Sequence, residues 1–403
     1  MNVKKALSVL VLEGLLYGLF LAMILIENYV IFLGLVLGTF AVILGLQKKR
    51  PDLYLNLKTI LMENKKLSLV ALFILLLTFP IIQAQNPYWI QVAIMAGLNV
   101  MMALGLNIMV GNAGLTCLGY AAFNAIGAYT YGILSLRYGI SFWLCIPIAI
   151  VIVMVFGLVL GLPALRVKGH YLALVTIAFG LVVYQLAINL EKLTGGSNGL
   201  MNLPEPHLGS YSFNSTLDLG FVQLPFHTNY YFLVLVFVAL SIWVVTHISH
   251  SLTGLTWNAM REDQLAAQCY GVNLTKNKLW AFAFGAVFGG VAGVIYAAMI
   301  GFIAPENFTY NQSIVILSMI LLGGIDSIPG VIVGAIILTI VPEKFRAFAD
   351  YRTMFYGVVI VLILLFKNDG LIPAHARKFT SRWRGKSERL NTDAQEQVAL
   401  NGK

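Results

Sequence analysis

Apolar residues run along this chain in long blocks broken by short polar segments. About 20 apolar residues are enough to carry a helix across the hydrocarbon of a bilayer. Runs that approach or reach this length lie at 6–26, 29–46, 67–82, 89–110, 115–135, 141–162, 171–190, 230–248 and 279–300, with shorter ones at 313–322, 328–341 and 354–366. The pattern predicts an all-α, polytopic integral membrane protein with about 10–12 transmembrane segments. Among them, 313–322 and 328–341 are short enough to read as one span that is broken or re-entrant. Composition agrees. Of 403 residues, 59% are apolar and 11% charged, against about 25% charged in a soluble domain. A single soluble core stops growing near about 250–300 residues, so a soluble protein of this composition is excluded.

The charges orient the spans. With the N-terminus inside, the cytoplasmic segments are 1–5, 47–66, 163–170, 249–278, 323–327 and 367–403, and they hold 21 of the 26 Lys and Arg residues. The outer segments hold Arg137, Lys192, Lys344, Arg346 and Arg352. The positive-inside rule therefore predicts that both termini are cytoplasmic. The net charge of +9 follows from this topology. The basic stretch at 377–389, with Trp383 inside it, reads as an anchor on anionic lipid headgroups, not as a nucleic-acid surface. Lys4 and Lys5 before an apolar run resemble a signal peptide, but Glu13, the missing small-x-small site and the run that follows at once make it an uncleaved anchor. Residues 1–85 read as accessory transmembrane segments with a basic loop, 86–373 as the core and 374–403 as a basic cytoplasmic tail.

Candidate chemistry is concentrated in a few stretches. Cys117, Cys145 and Cys269 form no disulfide framework and no metal-ligand spacing, and no GxxxxGK[ST] loop occurs. His247 and His250, three apart at the end of a run, read as interfacial side chains. The stretch 97–132 places Asn99, Asn107, Asn112 and Asn124 at membrane depth among Gly105, Gly111, Gly114, Gly119 and Gly127. Amides in hydrocarbon must face protein or a water-filled path. Gly111, Asn112, Ala113 and Gly114 would interrupt a helix, and exposed helix ends suit the zwitterionic groups of a small solute. The same small residues also serve close helix packing. A second interrupted region, 321–334, contains Gly323, Gly324 and Pro329. Paired interruptions in two halves of a membrane protein point to a transport path. Residues 194–204 read as a turn-rich outer loop. The loop 253–282 carries a short amphipathic helix over 256–269 that Gly271 stops. Arg261, Glu262 and Asp263 are its exposed polar residues, and Ala259, Leu265, Ala266 and Ala267 form a small apolar face. Such a helix can lie in the interface, dock into a partner's groove or serve as a surface linker.

At these residues the chain resembles the LivM-type permease subunits of high-affinity branched-chain amino acid ABC transporters. The family's glycine-patterned stretch stands as Gly105, Leu106, Asn107, Val110, Gly111, Gly114, Leu118, Gly119, Tyr120 and then Ala125 to Tyr129. Its next piece is Tyr171, Leu172, Ala173, Val175, Thr176, Phe179 and Gly180, followed by Thr194, Gly195, Gly196, Asn198 and Gly199. Arg261, Glu262, Asp263, Ala266, Ala267 and Gly271 match its charged loop. Pro305, Glu306 and Phe308, then Gly323, Gly324, Ser327 and Gly330, complete the order. The resemblance covers residues 88–373.

The resemblance implies an ABC importer permease fold in a bacterial inner membrane. It also implies a transport subunit, not an enzyme, with no cofactor of its own. ATP would be hydrolysed by two cytoplasmic ATPase partners, beside a homologous second permease, an extracytoplasmic solute-binding protein and membrane lipid. The loop from Gly254 through Ala259, Arg261 and Ala267 to Gly271 would be the coupling helix seated in an ATPase cleft. Asn107, Gly111, Asn112, Gly114, Gly119, Tyr120, Thr176, Gly180, Gly323 and Gly324 would line or shape the route for Leu, Ile and Val. Three positions depart from the family: Leu181 and Tyr184 replace a common Glu and Arg, and Asp326 stands where glycine is usual. A urea or other small-solute ABC permease shares the glycine framework. An ion-coupled secondary transporter is the reading from a different class. It calls for mid-span carboxylates, and the clearly mid-span one is Glu13, in the accessory region.

Overall fold

Where the apolar runs end, the local chemistry ends the helices. A computed structural model describes residues 65–344 apart from Lys168, Ser210 and 219–222, together with Gly14, Tyr17, Gly18, Gly357 and 370–372. Apart from those single residues, the expected segments 6–26, 29–46 and 354–366 and the basic stretch 377–389 lie outside the described residues. In chain order the helices are α1 (Lys65–Ile82), α2 (Pro87–Asn107), α3 (Ala121–Tyr138), α4 (Phe142–Ala164), α5 (His170–Asn189) and α6 (His227–Ser249). They continue with α7 (Leu252–Glu262), α8 (Gln264–Cys269), α9 (Leu274–Ile300), α10 (Tyr310–Gly323) and α11 (Ile328–Lys344). Pro87 opens α2, where its missing N–H costs nothing. The Asn273 side chain caps α9 by accepting the Lys276 N–H. Gly139 and Gly301, at φ 63° and 70°, end α3 and α9 in the left-handed conformation.

Between α5 and α6 the chain makes the expected turn-rich connection. A single helical turn, Glu191–Thr194, leads to two small antiparallel pairs. β1 (His207–Leu208) pairs with β2 (Tyr211–Ser212), His207 opposite Ser212, and β3 (Leu217–Asp218) pairs with β4 (Gln223–Leu224), Leu217 opposite Leu224.

Five described helices are long and apolar enough to cross a membrane: α2 with its continuation to Asn112, α4, α5, α6 and α9. The run expected at 115–135 begins as a helix only at Ala121. Residues 113–120 leave helical geometry, with Gly114 at φ +67°, and a π-helical turn, Ile108–Asn112, ends the preceding helix.

The burial of these helices separates an inner from an outer set. In the most apolar window of both α2 and α9, 78% of residues are buried, against 39% for α4, 28% for α6 and 22% for α5. Helix α9 packs against α2, α3 and α4, while α6 and α11 flank α2 and α10 lies on α11. Lipid tails are as apolar as leucine, so close packing, not water exclusion, must hold such helices together. Glycine makes the close approach possible. A Cβ at Gly127 would lie 2.0 Å from the Gly290 carbonyl oxygen, and one at Gly293 would lie 2.1 Å from that of Asn124.

The α3–α9 crossing therefore has no room for a side chain. Gly127→Leu places carbon against backbone that no rotamer change can relieve, and overpacking of this kind costs about 1–3 kcal/mol or more. The variant should lose folded protein at a lower temperature, read as the monodisperse fraction left in detergent after heating. A wild-type profile would show that α3 and α9 pack loosely.

Candidate functional site

The segment after α6 is built to stand against the end of the bundle. Ser251 caps α7 by accepting the Gly254 N–H at 3.4 Å. A Cβ on Gly254 would lie 2.5 Å from the Ile248 carbonyl oxygen, so this glycine lets α7 fold back tightly on α6. Trp257, Met260 and Ala267 are buried beneath the element, and the Trp257 indole donates to the Asn277 carbonyl of α9 at 3.1 Å. Leu252, Glu262, Asp263, Leu265, Ala266 and Tyr270 are exposed, and Ala259 is half-buried.

Two expectations for this loop change. The single helix expected over 256–269 is two helices meeting at Asp263, whose backbone is extended (φ −152°, ψ 112°). The Asp263 carboxylate accepts the N–H groups of Leu265 and Ala266 at 2.8 and 3.0 Å. An acceptor placed there starts a new helix and competes with continuation of the old one. Gly271, at φ +83°, then turns the chain toward α9. The second change concerns the apolar face. Ala267 points inward, while Leu265 and Ala266 face out.

Arg261 was expected to be exposed with its acidic neighbours, and it instead turns inward. One guanidinium nitrogen donates both to the Gly111 carbonyl, at 2.5 Å, and to the Asp326 carboxylate, at 2.9 Å. The other pairs with Glu262 at 3.1 Å. The Asp326 side chain is 9% accessible, that of Arg261 30% and that of Glu262 76%. Asn107 Oδ1 accepts the Asp326 N–H at 2.9 Å, and the Asn112 amide donates to Ser249 Oγ at the end of α6 at 2.9 Å. A Cβ on Gly111 would lie 2.3 Å from Asn107 Oδ1, and one on Gly114 would lie 2.8 Å from Arg261 Cγ. Gly323 lies against the Gly330 backbone, and Gly324 follows at φ +117°. Three interruptions thus meet at one corner: the end of α2, the α6–α7 turn and the α10–α11 break.

Asp326 adopts φ +67°. That conformation costs most L-residues about 1–2 kcal/mol, and Asp is among the few besides glycine that visit it. The glycine expected here from the resemblance would meet the same backbone demand as this aspartate, but only the aspartate reaches Arg261.

The other route candidates gather elsewhere. Thr176 Oγ1 accepts the Leu118 N–H at 3.0 Å and donates to the Ala173 carbonyl. A Cβ on Gly119 would lie 1.9 Å from the Thr176 carbonyl oxygen, and one on Gly180 would lie 3.3 Å from Gly119 Cα. Ser313 Oγ accepts the Ala121 N–H where α3 begins. Tyr120 is fully buried and donates to the Gly285 carbonyl at 2.8 Å. The ten candidates therefore fall at three places. Asn107, Gly111, Asn112, Gly114, Gly323 and Gly324 lie at the Arg261 corner. Gly119, Thr176 and Gly180 lie at the α3–α5 contact, and Tyr120 is wedged against α2 and α9. Leu181 lies on the exposed face of α5, where a glutamate would face out from the chain. Sequence reasoning missed Ser249, Ser313 and the pairing of Asp326. The available signal was an acid inside a Gly/Pro-interrupted apolar run.

Comparison with known proteins supplies the biological frame. The family described as "Branched-chain amino acid transport system / permease component" matches residues 88–366. The chain is 37% identical over 322 residues to the high-affinity branched-chain amino acid transport system permease protein LivM of Escherichia coli (strain K12), covering 77% of this chain and 75% of that protein. The LivM protein of Salmonella typhimurium is 36% identical over the same shares. The permease protein LivH of E. coli K12 is 28% identical over 142 residues, 32% of this chain and 46% of its own length. No solved structure matches the chain at a significant level.

Two glycines separate backbone strain from collision at this corner. Gly114 and Gly271 both have positive φ, but a Cβ on Gly271 meets open space. Gly114→Ala should therefore lower the melting temperature in detergent more than Gly271→Ala, because only the former must also displace Arg261. Equal shifts would mean that Arg261 yields freely.

Proposed function

The chain belongs to the family of permease components of branched-chain amino acid transport systems, and from that premise we propose that it imports Leu, Ile and Val as one of two permeases in a transporter driven by separate ATPases. It is a multi-pass inner-membrane subunit acting in amino acid import, a transport protein and not an enzyme. Likeness to both LivM and LivH proteins indicates a second permease in the same transporter. Two cytoplasmic ATPases hydrolyse the ATP, an extracytoplasmic solute-binding protein delivers the solute, and this chain binds no nucleotide. The solute route runs between the two permeases, with the α3–α5 glycines and the Arg261 corner shaping it.

One observation carries the coupling part of this reading. The α7–α8 element is anchored from beneath by Trp257 and Arg261, while Glu262, Asp263, Leu265, Ala266 and Tyr270 point away from the bundle. A pair of anchored short helices with an exposed mixed surface suits insertion into a partner's groove. The cationic bias of 21 in 26 supports a cytoplasmic position for this element and for both termini.

Vesicles containing this chain, the sister permease, the ATPases and the binding protein should take up leucine only with ATP. Isoleucine and valine should compete, and urea should not. Competition by urea alone would replace the substrate class. In the same complex, Glu262→Lys combined with Ala266→Trp should weaken ATPase retention by about 2–5 kcal/mol, the usual cost of an unpaired interfacial charge. Retention at the wild-type level would remove α7–α8 from the docking surface.

Sidedness has its own test. Cys269 is exposed on α8 and should react with an impermeant thiol reagent only after cells are permeabilised. Thr216→Cys, in the α5–α6 connection of a Cys269→Ser chain, should react in intact cells. The reverse pattern would invert the topology.

A further inference from the structure

We propose that Asp326 is a positioning residue for transport: it holds Arg261 so that the α7–α8 element and the two nearby helix breaks move together. The proposal rests on the reading that α7–α8 docks on the ATPases.

The geometry is that of a three-way tie. Arg261 leaves α7, and one of its nitrogens bonds both to the terminal carbonyl region of α2, at Gly111, and to Asp326 in the α10–α11 break. Asp326 is itself fastened to α2, because its N–H donates to Asn107 Oδ1. A displacement of α7 therefore pulls on α2 and on the α10–α11 corner at once. With glycine at position 326, Arg261 would keep the Gly111 carbonyl but lose its grip on that corner.

Two further observations suggest that this tie is one of two arrangements. Asp326 sits at φ +67°, a backbone state that persists in a side-chain-bearing residue only where the surroundings enforce it. Asn107 is fully buried, yet among the described residues its Nδ2 finds no partner while its Oδ1 is used. An unmade bond at the point where three interruptions meet leaves a donor ready to pair after a shift. Packed corners of this kind switch between discrete states more readily than they deform continuously. The coupling then has a physical carrier, a chain of contacts whose arrangement both ends can bias.

The test uses vesicles holding the full complex and reads leucine transported per ATP hydrolysed, together with the ATPase retained. Asp326→Asn and Asp326→Gly should both keep wild-type ATPase retention. Their transport ratio should fall at least about fivefold, the lower end of ordinary coupling between sites. Asp326→Gly meets the same backbone demand without strain, so a fall there reads the lost carboxylate. Arg261→Gln should cause at least as large a fall, and Arg261→Gln with Asp326→Asn should fall no further than Arg261→Gln alone, since the pair with Asp326 is already lost in it. A wild-type ratio in Asp326→Gly overturns the proposal. So does additivity in the double variant, or loss of ATPase from either Asp326 variant. Failure of the docking reading shows separately, as full ATPase retention by Glu262→Lys with Ala266→Trp.

Discussion

A backbone that leaves the helix inside a membrane must find its hydrogen bonds within the protein. No water is there to supply them, and each unsatisfied group costs about several kcal/mol. This chain leaves the helix repeatedly, and Arg261, Asn107, Thr176 and Ser313 stand where it does so. The Gly111 carbonyl meets Arg261, the Asp326 N–H meets Asn107, the Leu118 N–H meets Thr176 and the Ala121 N–H meets Ser313. The α10–α11 break is closed from a distance, by Leu371 and Ile372 donating to the carbonyls of Leu322 and Gly323. These four side chains are thus partners to the interruptions. Asn99 adds a direct tie between helices, donating to Thr339 of α11 at 3.0 Å.

The interruptions in turn depend on the glycine contacts. A broken helix is short and would drift unless its neighbours hold it at backbone distance. Gly119 against Thr176, and Gly323 against Gly330, provide that distance beside two of the breaks. Helix α9 continues the same logic through the middle of the bundle, with Gly285 facing Gly105, Gly290 facing Gly127 and Gly293 facing Asn124. Dispersion at such contacts is small per atom pair but grows with the number of atoms that touch. That is why glycine, which offers no side chain of its own, lies at the tightest crossings of an apolar protein.

Hydropathy made the helices legible, because the length of an apolar run is a direct consequence of bilayer thickness. The observed α4, α5, α6 and α9 begin within a few residues of their expected starts. The two interruptions were also legible, since Gly111, Gly114, Gly323 and Gly324 cluster where a span made only to fill lipid would carry Leu or Val. What the sequence could not reveal was direction. Arg261, Glu262 and Asp263 are consecutive and equally polar. Yet one reaches inward to Gly111, one lies on the surface and one breaks the helix by capping the next. Those choices depend on groups distant along the chain: the carbonyl that α2 leaves unpaired, and Asp326 waiting beside it. Asp326 itself looked like a departure from a glycine pattern, because φ and a partner 65 residues away are both invisible in one dimension.

For the proposed coupling role, the way the α7–α8 element is fastened to the bundle matters most. The α7–α8 element is fastened at two separate places. Trp257 ties it to Asn277 on α9, and Arg261 ties it to α2 and to the α10–α11 break. An object held to two helices cannot tilt without displacing one against the other. Helices α2 and α9 meet through Gly105 and Gly285, with the side chains of Met109, Tyr120 and Phe288 packed into the same crossing. Small residues at the crossing and charged residues at its end are then parts of one device. The glycines let the helices approach, and the polar corner ties α7 to α2 and to the α10–α11 break.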